Sequence, residues 1–216
     1  PETEFLGYGT LSAEAKVLAV LRDGERVEAA TAGDEAVLVL DRTPFYGEGG
    51  GQVGDTGSLE SDGAVMAVTD TKKDAAKHYL HDVSVTAGEV RVGDAVKASV
   101  DADRRAAIMR NHTSAHLLQA ALRRVLGAHV RQAGQLVDEK RMRFDFTHFE
   151  AVKPEELKEI ERIVNRVILS AVPVETREMP IDEAKKLGAM ALFGEKYGQV
   201  VRVVSAGDFS KELCGG

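Results

Sequence analysis

The sequence predicts an α+β protein in which a glycine-rich β-barrel subdomain, residues 1–100, precedes a two-layer α+β subdomain, residues 101–216. Short apolar runs separated by turn residues fill the first hundred residues. From Asp101 onward, apolar residues recur at helical spacing and short strand-like runs return after each predicted helix. With 216 residues and 44% hydrophobic content, the chain is long enough for each subdomain to have its own core.

The strands of the first subdomain are predicted from apolar runs that end at aspartate–glycine or glycine–aspartate pairs. These pairs favour tight turns, because glycine adopts positive φ and aspartate bonds to the nearby backbone. Several strands at this spacing are typical of a small barrel or an open sandwich. The predicted strands are Lys16–Leu21, Ala36–Leu40, Ala64–Val68 and Ala95–Val100.

The second subdomain is predicted to begin with a long helix capped by Asp101 and ended by Gly127. Pro154 is expected at the first turn of a second helix, a position that proline favours. Mixed strands and helices over this region indicate, most simply, one sheet with helices packed on one face. The remaining predicted elements are strands His129–Val137, Arg141–Thr147, Val172–Arg177 and Val200–Ser205, and a short helix Ile181–Leu187.

Two histidines, His112 and His116, lie four residues apart inside the predicted long helix. Residues at this interval project from the same helix face, so both imidazoles can reach one metal ion. Cys214 is the candidate third ligand, because the glycines that follow it leave space beside the sulfur. Two imidazoles and a thiolate suit Zn²⁺. The competing interpretations are a chance surface pair of histidines and a cysteine that is a small buried hydrophobic residue.

A loop with four glycines lies within Asp41–Gln52 and allows the backbone to approach a ligand closely. It is not a phosphate-binding P-loop, because no Gly-Lys-Ser or Gly-Lys-Thr follows. Thr43 and Gln52 bracket the glycines and could recognise a small polar ligand. By glycine content alone, a flexible hairpin connection is the simpler interpretation.

The net charge of −7 argues against nucleic acid, but the charge is unevenly distributed. Residues 1–103 carry 9 basic and 20 acidic side chains, whereas residues 104–143 carry 9 basic and 2 acidic. Such a basic segment can bind phosphates, because surface charges act over about 8–10 Å. A solvated helix face is the alternative. The candidate RNA-binding residues are Arg104, Arg105, Arg110, Arg123, Arg124 and Arg131.

The single cysteine excludes an internal disulfide framework and favours a reducing, cytoplasmic setting. No apolar run approaches the roughly 20 residues of a membrane helix, and the acidic start does not resemble a signal peptide. Because the chain has no initial methionine and ends abruptly at Gly216, we expect a piece of a longer protein.

Taken together, these motifs resemble the editing domain of alanyl-tRNA synthetase and its free-standing relatives, the AlaX proteins. They follow the family's order along the whole chain, and the joint match is far more specific than any single motif. The opening Thr-Glu-Phe-Leu-Gly-Tyr is more similar to the synthetase form than to the AlaX form. The matching stretches are residues 3–8, Asp41–Gln52, 54–57, 110–118, 143–146, 188–197 and 214–216.

The resemblance implies a glycine-rich β-barrel followed by an α+β subdomain like the editing domain of threonyl-tRNA synthetase. It also implies that His112, His116 and Cys214 are zinc ligands, from a His-x-x-x-His motif and a later Cys-x-x-x-His motif. The fourth ligand, a histidine four residues after the cysteine, would lie beyond Gly216. We therefore expect weakened zinc binding in the chain as printed.

The resemblance further implies hydrolysis of the ester in Ser-tRNA(Ala) or Gly-tRNA(Ala), with the acceptor end of the tRNA bound here and the rest of the synthetase in cis. A pocket for alanine rejects near-isosteres by only about 10–200-fold, so a second, hydrolytic site is useful. A non-catalytic module that positions tRNA around a structural zinc site is the alternative. Thr43 and Gln132 are implied as catalytic. The implied substrate-binding residues are Thr43, Gly50, Gly51, Gln52, Thr113, Ala115 and Gln132.

Overall fold

The computed structural model describes residues 2–190 and 198–216, so the matching stretch at 188–197 lies largely outside the described residues. The chain divides into two compact units, Pro1–Ile108 and Met109–Gly216. This division falls within a helix, α1 (Ala102–Leu126), rather than at the predicted boundary of residues 100 and 101. No described helix combines the length and the apolar character that crossing a bilayer requires.

The described part of the first unit consists of strands and the first turns of α1. The strands are β1 (Glu4–Phe5), β2 (Ser12–Arg22), β3 (Glu25–Val27), β4 (Ala29–Thr31), β5 (Glu35–Leu40), β6 (Arg42–Thr43), β7 (Gly57–Glu60), β8 (Ala64–Lys73), β9 (Tyr79–Arg91) and β10 (Ala95–Val100). The antiparallel path β10–β7–β8–β9–β5–β2 closes on itself, because β10 also pairs with β2. The first unit therefore contains a six-stranded β-barrel.

The four strands predicted in the first subdomain lie within β2, β5, β8 and β10. The long strand β9 was not predicted, although its buried residues alternate along the chain as a half-buried strand requires. Two of those inward-facing positions hold Tyr79 and His81. A sequence pattern alone does not identify a tyrosine or a histidine as a core residue. The barrel interior is otherwise aliphatic, with Phe45 added from the loop that follows β6.

His81 connects the barrel interior to the segment before the glycine loop. Its Nδ1 lies 3.0 Å from the carbonyl oxygen of Leu38 and therefore carries the proton, so Nε2 accepts from the Thr43 hydroxyl at 2.8 Å. The Thr43 oxygen in turn accepts the backbone N–H of Phe45 at 3.1 Å. Burial lowers the pKa of His81 to about 4, outweighing the opposing effect of the bond to Leu38.

Acidification is expected to destabilise the protein through His81. The unfolded chain binds a proton near pH 6.5 that the folded state takes up only near pH 4, so stability present above pH 6.5 is lost as the pH falls. The slope due to this group reaches at most about 1.4 kcal/mol per pH unit. Urea unfolding of the wild type and of His81→Gln between pH 7 and 4.5 measures how the free energy of unfolding depends on pH. Equal pH dependence in the two proteins would contradict a lowered pKa for His81.

A buried ion pair joins the first turns of α1 to the loop after the glycines. The predicted cap at Asp101 is confirmed, since its Oδ1 accepts the backbone N–H of Arg104 at 3.0 Å. One turn further in, Arg105 donates to both carboxylate oxygens of Asp55 and to the carbonyl oxygens of Gly7 and Pro44. The Arg105 and Asp55 side chains are 9% and 1% exposed.

The second unit begins within α1, which ends as predicted before Gly127, whose φ is +117°. The predicted α+β character is confirmed, but the described residues form two separate sheets instead of one. One sheet is the hairpin β11–β12 and the other has the order β13–β14–β15. The elements are β11 (Arg131–Val137), β12 (Met142–Thr147), α2 (Pro154–Leu169), β13 (Val174–Pro180), α3 (Ile181–Lys186), β14 (Val200–Ala206) and β15 (Ser210–Leu213).

Two small cores stabilise the second unit. In the first, Ile160 of α2 packs with Ala121 and Leu122 of α1, beside Phe144 and Phe146 of β12. A second cluster joins α3 to the three-stranded sheet. The likeness of this unit to the editing domain of threonyl-tRNA synthetase stays a prediction.

Candidate metal centre

The three side chains predicted as metal ligands lie together in the second unit. One ligand atom from each of His112, His116 and Cys214 lies within 4.8 Å of the others. The two imidazoles are stacked at 5.1 Å, as expected for residues four apart on a helix. His112 and Cys214 are 7% and 8% exposed, and the His116 side chain is 11% exposed. The sequence therefore predicted this convergence correctly, across about a hundred residues of chain.

The local structure after β15 directs the cysteine toward the helix. The backbone N–H of Cys214 donates to the carbonyl oxygen of Arg202 on β14 at 3.0 Å. The Arg202 guanidinium donates a hydrogen bond to the carbonyl oxygen of Cys214, also at 3.0 Å. These two bonds hold the segment beside the sheet and leave the sulfur facing α1.

The spacing of the donor atoms fits a metal ion. The Cys214 sulfur lies 3.2 Å from Nε2 of His112. Tetrahedral zinc, with bonds of about 2.0–2.3 Å to nitrogen and sulfur, places its ligand atoms about 3.3–3.8 Å apart. Two imidazoles and one thiolate form a borderline-soft donor set, which is the kind that zinc prefers. The three residues can therefore hold a metal ion with little movement.

Glu212 contacts this centre and was not predicted. Its carboxylate contacts Nδ1 of His116, and its side chain is 4% exposed. A carboxylate at Nδ1 fixes the proton there and leaves Nε2 as the lone-pair donor, which is the usual support of a metal-binding histidine. Glu212 precedes Cys214 by two residues, so both project from the same face of an extended chain. That spacing is the signal that could have identified it.

The electrostatics of the cluster favour the metal-binding form of the thiol. Burial raises the pKa of Cys214, but hydrogen bonds from His112 and His116 outweigh it and bring the pKa to about 5. Burial likewise lowers the pKa of His116, and the bonds to Cys214 and Glu212 outweigh it, raising the pKa to about 10. Near neutral pH the metal-free cluster therefore holds a Cys214 thiolate beside a protonated His116, and a metal ion would displace the proton from Nε2.

Replacing Glu212 with alanine is expected to weaken zinc binding by about 10–100-fold, since His116 would lose the partner that orients its ring. Competition with a coloured chelator measures the affinity in the wild type, Glu212→Ala and Glu212→Gln. The glutamine variant, which keeps an acceptor oxygen, should lose less affinity than the alanine variant. Unchanged affinity in the alanine variant would contradict the supporting role.

The other predicted pocket residues of the second unit lie on two elements. Thr113 and Ala115 are on α1, where Ala115 is buried and Thr113 is partly exposed. Gln132 is partly exposed on β11, next to an irregularity in the β11–β12 register between Gln132 and Gly134. Bulges of this kind re-aim a side chain and are frequent beside functional sites. Their contact with a substrate stays a prediction.

The glycine loop of the first unit is an ordered hairpin turn. Gly49 and Gln52 exchange backbone hydrogen bonds at 3.0 and 3.1 Å, and Gly50 and Gly51 between them have φ of +59° and +81°. A turn in which both central residues have positive φ is adopted most readily by glycine. A hairpin turn accounts for the positive φ of these glycines, and the substrate contact of Gly50, Gly51 and Gln52 stays a prediction. Gln52 is buried, at 4% exposure.

Thr43 was predicted to contact the substrate and to act in catalysis, and the structure places it inside the barrel. The residue is fully buried in the barrel. Its hydroxyl donates to His81 and accepts from Phe45. These bonds give Thr43 a structural role within the first unit, and its contact with a substrate stays a prediction.

The six predicted RNA-binding arginines have unlike environments. Arg105 is buried in its ion pair with Asp55, which corrects the expectation that it guides phosphates. Arg104 donates to the carbonyl oxygen of Gly54 at 2.8 Å and is partly buried. Arg110, Arg124 and Arg131 are exposed, and Arg124 stacks on the ring of Phe209 at 4.0 Å. The last candidate, Arg123, donates a hydrogen bond to the carbonyl oxygen of Val130 at 2.7 Å.

Comparison with known proteins relates the chain to one group of enzymes. Residues 1–104 match the family described as tRNA synthetases class II (A). The whole chain is 56% identical to part of an alanine–tRNA ligase of Acetivibrio thermocellus. The chain is homologous to a segment of the alanine–tRNA ligases. Alanine–tRNA ligases of Acidithiobacillus ferridurans and Bacillus velezensis are 56% and 51% identical over the same full length of this chain.

The chain spans about a quarter of the length of these relatives, 24% to 25%. This homology confirms the resemblance to alanyl-tRNA synthetase that the motifs indicated. The class II match covers the barrel and the first three residues of α1, whereas the candidate metal ligands lie beyond it.

Proposed function

We propose that this chain is the part of an alanine–tRNA ligase that hydrolyses serine or glycine wrongly attached to tRNA(Ala). The observation that carries the proposal is the buried group of His112, His116 and Cys214, supported by Glu212, in a segment homologous to these ligases. A ligase that must accept alanine gains from a separate hydrolytic site, because binding alone discriminates poorly against near-isosteres. Localisation in the cytoplasm, where tRNA is charged, belongs to the same proposal.

We assign the following roles to residues of the second unit. His112, His116 and Cys214 would hold zinc, which as a Lewis acid supplies polarisation of an oxygen or of a bound water. Glu212 keeps the His116 proton on Nδ1, so that Nε2 stays a ligand. Gln132 offers an amide that can both donate to and accept from the aminoacyl ester. Thr113 and Ala115 are proposed to contact the aminoacyl group, a role that the motif resemblance supports.

Recognition of the tRNA is proposed to use the exposed arginines of the second unit. Arg110, Arg124 and Arg131 are exposed and can reach phosphates of the single-stranded acceptor end. A variant that removes one of these arginines should show a weaker dependence of affinity on salt, because fewer counterions are released on binding. The remaining parts of the ligase, in cis, would supply further contacts to tRNA(Ala).

A second candidate function is a structural zinc site in a module that positions tRNA without hydrolysis. The observation that favours it is the burial of all three ligands, because catalytic zinc sites keep an open position whereas structural sites are closed. In that case metal binding is coupled to folding, and a chelator should unfold the second unit. A folded but inactive apo protein would favour the hydrolytic function instead.

Deacylation of Ser-tRNA(Ala) by the full-length ligase tests the proposed function. Zinc content is measured on the same preparation by elemental analysis. We expect release of serine that stops when the metal is removed and returns when zinc is added. A zinc-loaded ligase that releases no serine or glycine would contradict the hydrolytic function and leave the structural one.

A further inference from the structure

Three aromatic rings lie together on the second unit, outside the metal centre: Phe149 stacks on His129, and His129 pairs edge to edge with His148. The centroid of His129 lies 4.2 Å from that of Phe149 and 5.1 Å from that of His148, both with interplanar angles of 18°, whereas His148 and Phe149 lie 6.2 Å apart at 33°. Phe149 is 85% exposed, the most exposed large hydrophobic side chain among the described residues. One face of its ring is therefore covered by His129 and the other is open to solvent.

The local structure holds this stack in place. Nε2 of His129 and Nδ1 of His148 form a hydrogen bond at 2.9 Å, which fixes the two imidazoles relative to each other. Gly127 has φ of +117°, and a Cβ there would lie 2.9 Å from Nδ1 of His129, so a glycine at this turn makes room for the ring. The pairing of Arg131 with Thr147 in the hairpin β11–β12 brings the two sides of the stack together.

A single exposed phenylalanine is common on protein surfaces and by itself indicates nothing. Here the ring is held by a stack and is not a member of the core cluster around Ile160. Two arginines flank His129 along the chain, Arg123 on α1 and Arg131 on the hairpin. Arg131 is exposed opposite Thr147, the residue before His148, and Arg123 donates to the carbonyl oxygen of Val130, the residue after His129.

Aromatic faces next to arginines are the arrangement with which proteins bind unpaired nucleotides, since bases stack on the rings and phosphates meet the cations. The acidic neighbour Glu150 lies 4.0 Å from the ammonium group of Lys153, which offsets its charge locally. We propose that the open face of Phe149 is a stacking site for an unpaired base of RNA. The choice of RNA as the occupant rests on the proposed function, whereas the ring stack does not.

Replacing Phe149 with tryptophan gives a direct optical test, because the chain contains no other tryptophan. The titration uses the 216-residue chain with Phe149→Trp, its fold compared with that of the wild type by circular dichroism, and a short single-stranded RNA ending in CCA. We expect quenching of the fluorescence as the indole stacks on a base. A fully paired RNA of equal length should quench far less. Saturation with single-stranded RNA without a change in emission would overturn the proposal.

Affinity measurements with the same RNA separate stacking from general surface effects. Phe149→Ala should weaken binding by about 5- to 150-fold, the range for loss of one base–aromatic stack, and Phe149→Trp should retain it. The matched control is Leu169→Ala, since Leu169 is 84% exposed in the same unit but lies outside the stack. Equal losses for the two alanine variants would refute a specific site.

The salt dependence and the metal centre give two further controls. Phe149→Ala should leave the slope of affinity against salt unchanged, whereas Arg131→Ala should reduce it by about one. His112→Ala should lose deacylation in the full-length ligase but keep its affinity for the RNA. Quenching without deacylation by the wild-type ligase would end the proposed function and leave the stacking site intact.

Discussion

Replacing His116 with alanine in the full-length ligase is expected to lower deacylation of Ser-tRNA(Ala) by at least about 100-fold. The variant removes one of the three candidate metal ligands and leaves the buried Glu212 carboxylate without its histidine partner. Stabilisation by a bound metal is worth several kcal/mol in a hydrolytic transition state, and each 1.4 kcal/mol corresponds to about tenfold in rate. Initial rates of serine release, together with zinc content, measure the effect.

The control is His78→Ala, because His78 belongs to the first unit, where it bonds to Asp74, and is not one of the candidate ligands. Circular dichroism separates loss of zinc from loss of fold, and Cys214→Ser should give the same loss of rate with a smaller change in volume. Rates near those of the wild type in both ligand variants, with zinc absent, would refute a metal-dependent mechanism.

Replacing Asp55 with alanine is expected to lower the free energy of unfolding by about 3–5 kcal/mol. The change leaves the guanidinium of Arg105 buried without its counter-charge, and breaking a buried pair from one side costs far more than removing both partners. Urea unfolding monitored by circular dichroism measures the difference.

Two comparisons sharpen this result. Asp208→Ala removes a fully exposed carboxylate that pairs with Lys211 and should change stability by less than about 0.5 kcal/mol. The double variant Asp55→Leu with Arg105→Met should recover a large part of the loss, because an apolar pair of similar volume needs no counter-charge. A loss below about 1 kcal/mol for Asp55→Ala would show that the pair is solvated in solution.

The regular part of the fold could be predicted from the sequence because its signals are local. The cap at Asp101 and the stop at Gly127 bracket α1 as expected. Strand β9 was missed because a histidine occupies a core position, where its two nitrogens are satisfied by Leu38 and Thr43. Such satisfaction depends on partners distant in sequence, which periodicity does not show.

The candidate site could be predicted in part for the same reason. The four-residue interval of His112 and His116 is a local signal, and so are the glycines after Cys214, whereas the resemblance supplied their joint role as metal ligands. The roles of the glycines were harder to predict, since a glycine kept for a ligand and one kept for packing look alike. A Cβ at Gly54 would lie 2.0 Å from the carbonyl oxygen of Thr71, so packing alone demands glycine there. Arg105 was likewise read as a surface cation because its partner Asp55 is 50 positions away.

The alternation of β15 makes the metal centre sensitive to the length of the turn that precedes it. Ser210, Glu212 and Cys214 share one face of the extended chain, and the register with β14 pairs Ser210 with Ala206. Deleting one residue between these strands would shift the β14–β15 register by one residue. The Glu212 carboxylate and the Cys214 thiol would then both point to the opposite face. The hairpin could still form, but neither Glu212 nor Cys214 would face the histidines. Insertions and deletions in this turn are therefore expected to disrupt the metal centre more than most point substitutions do.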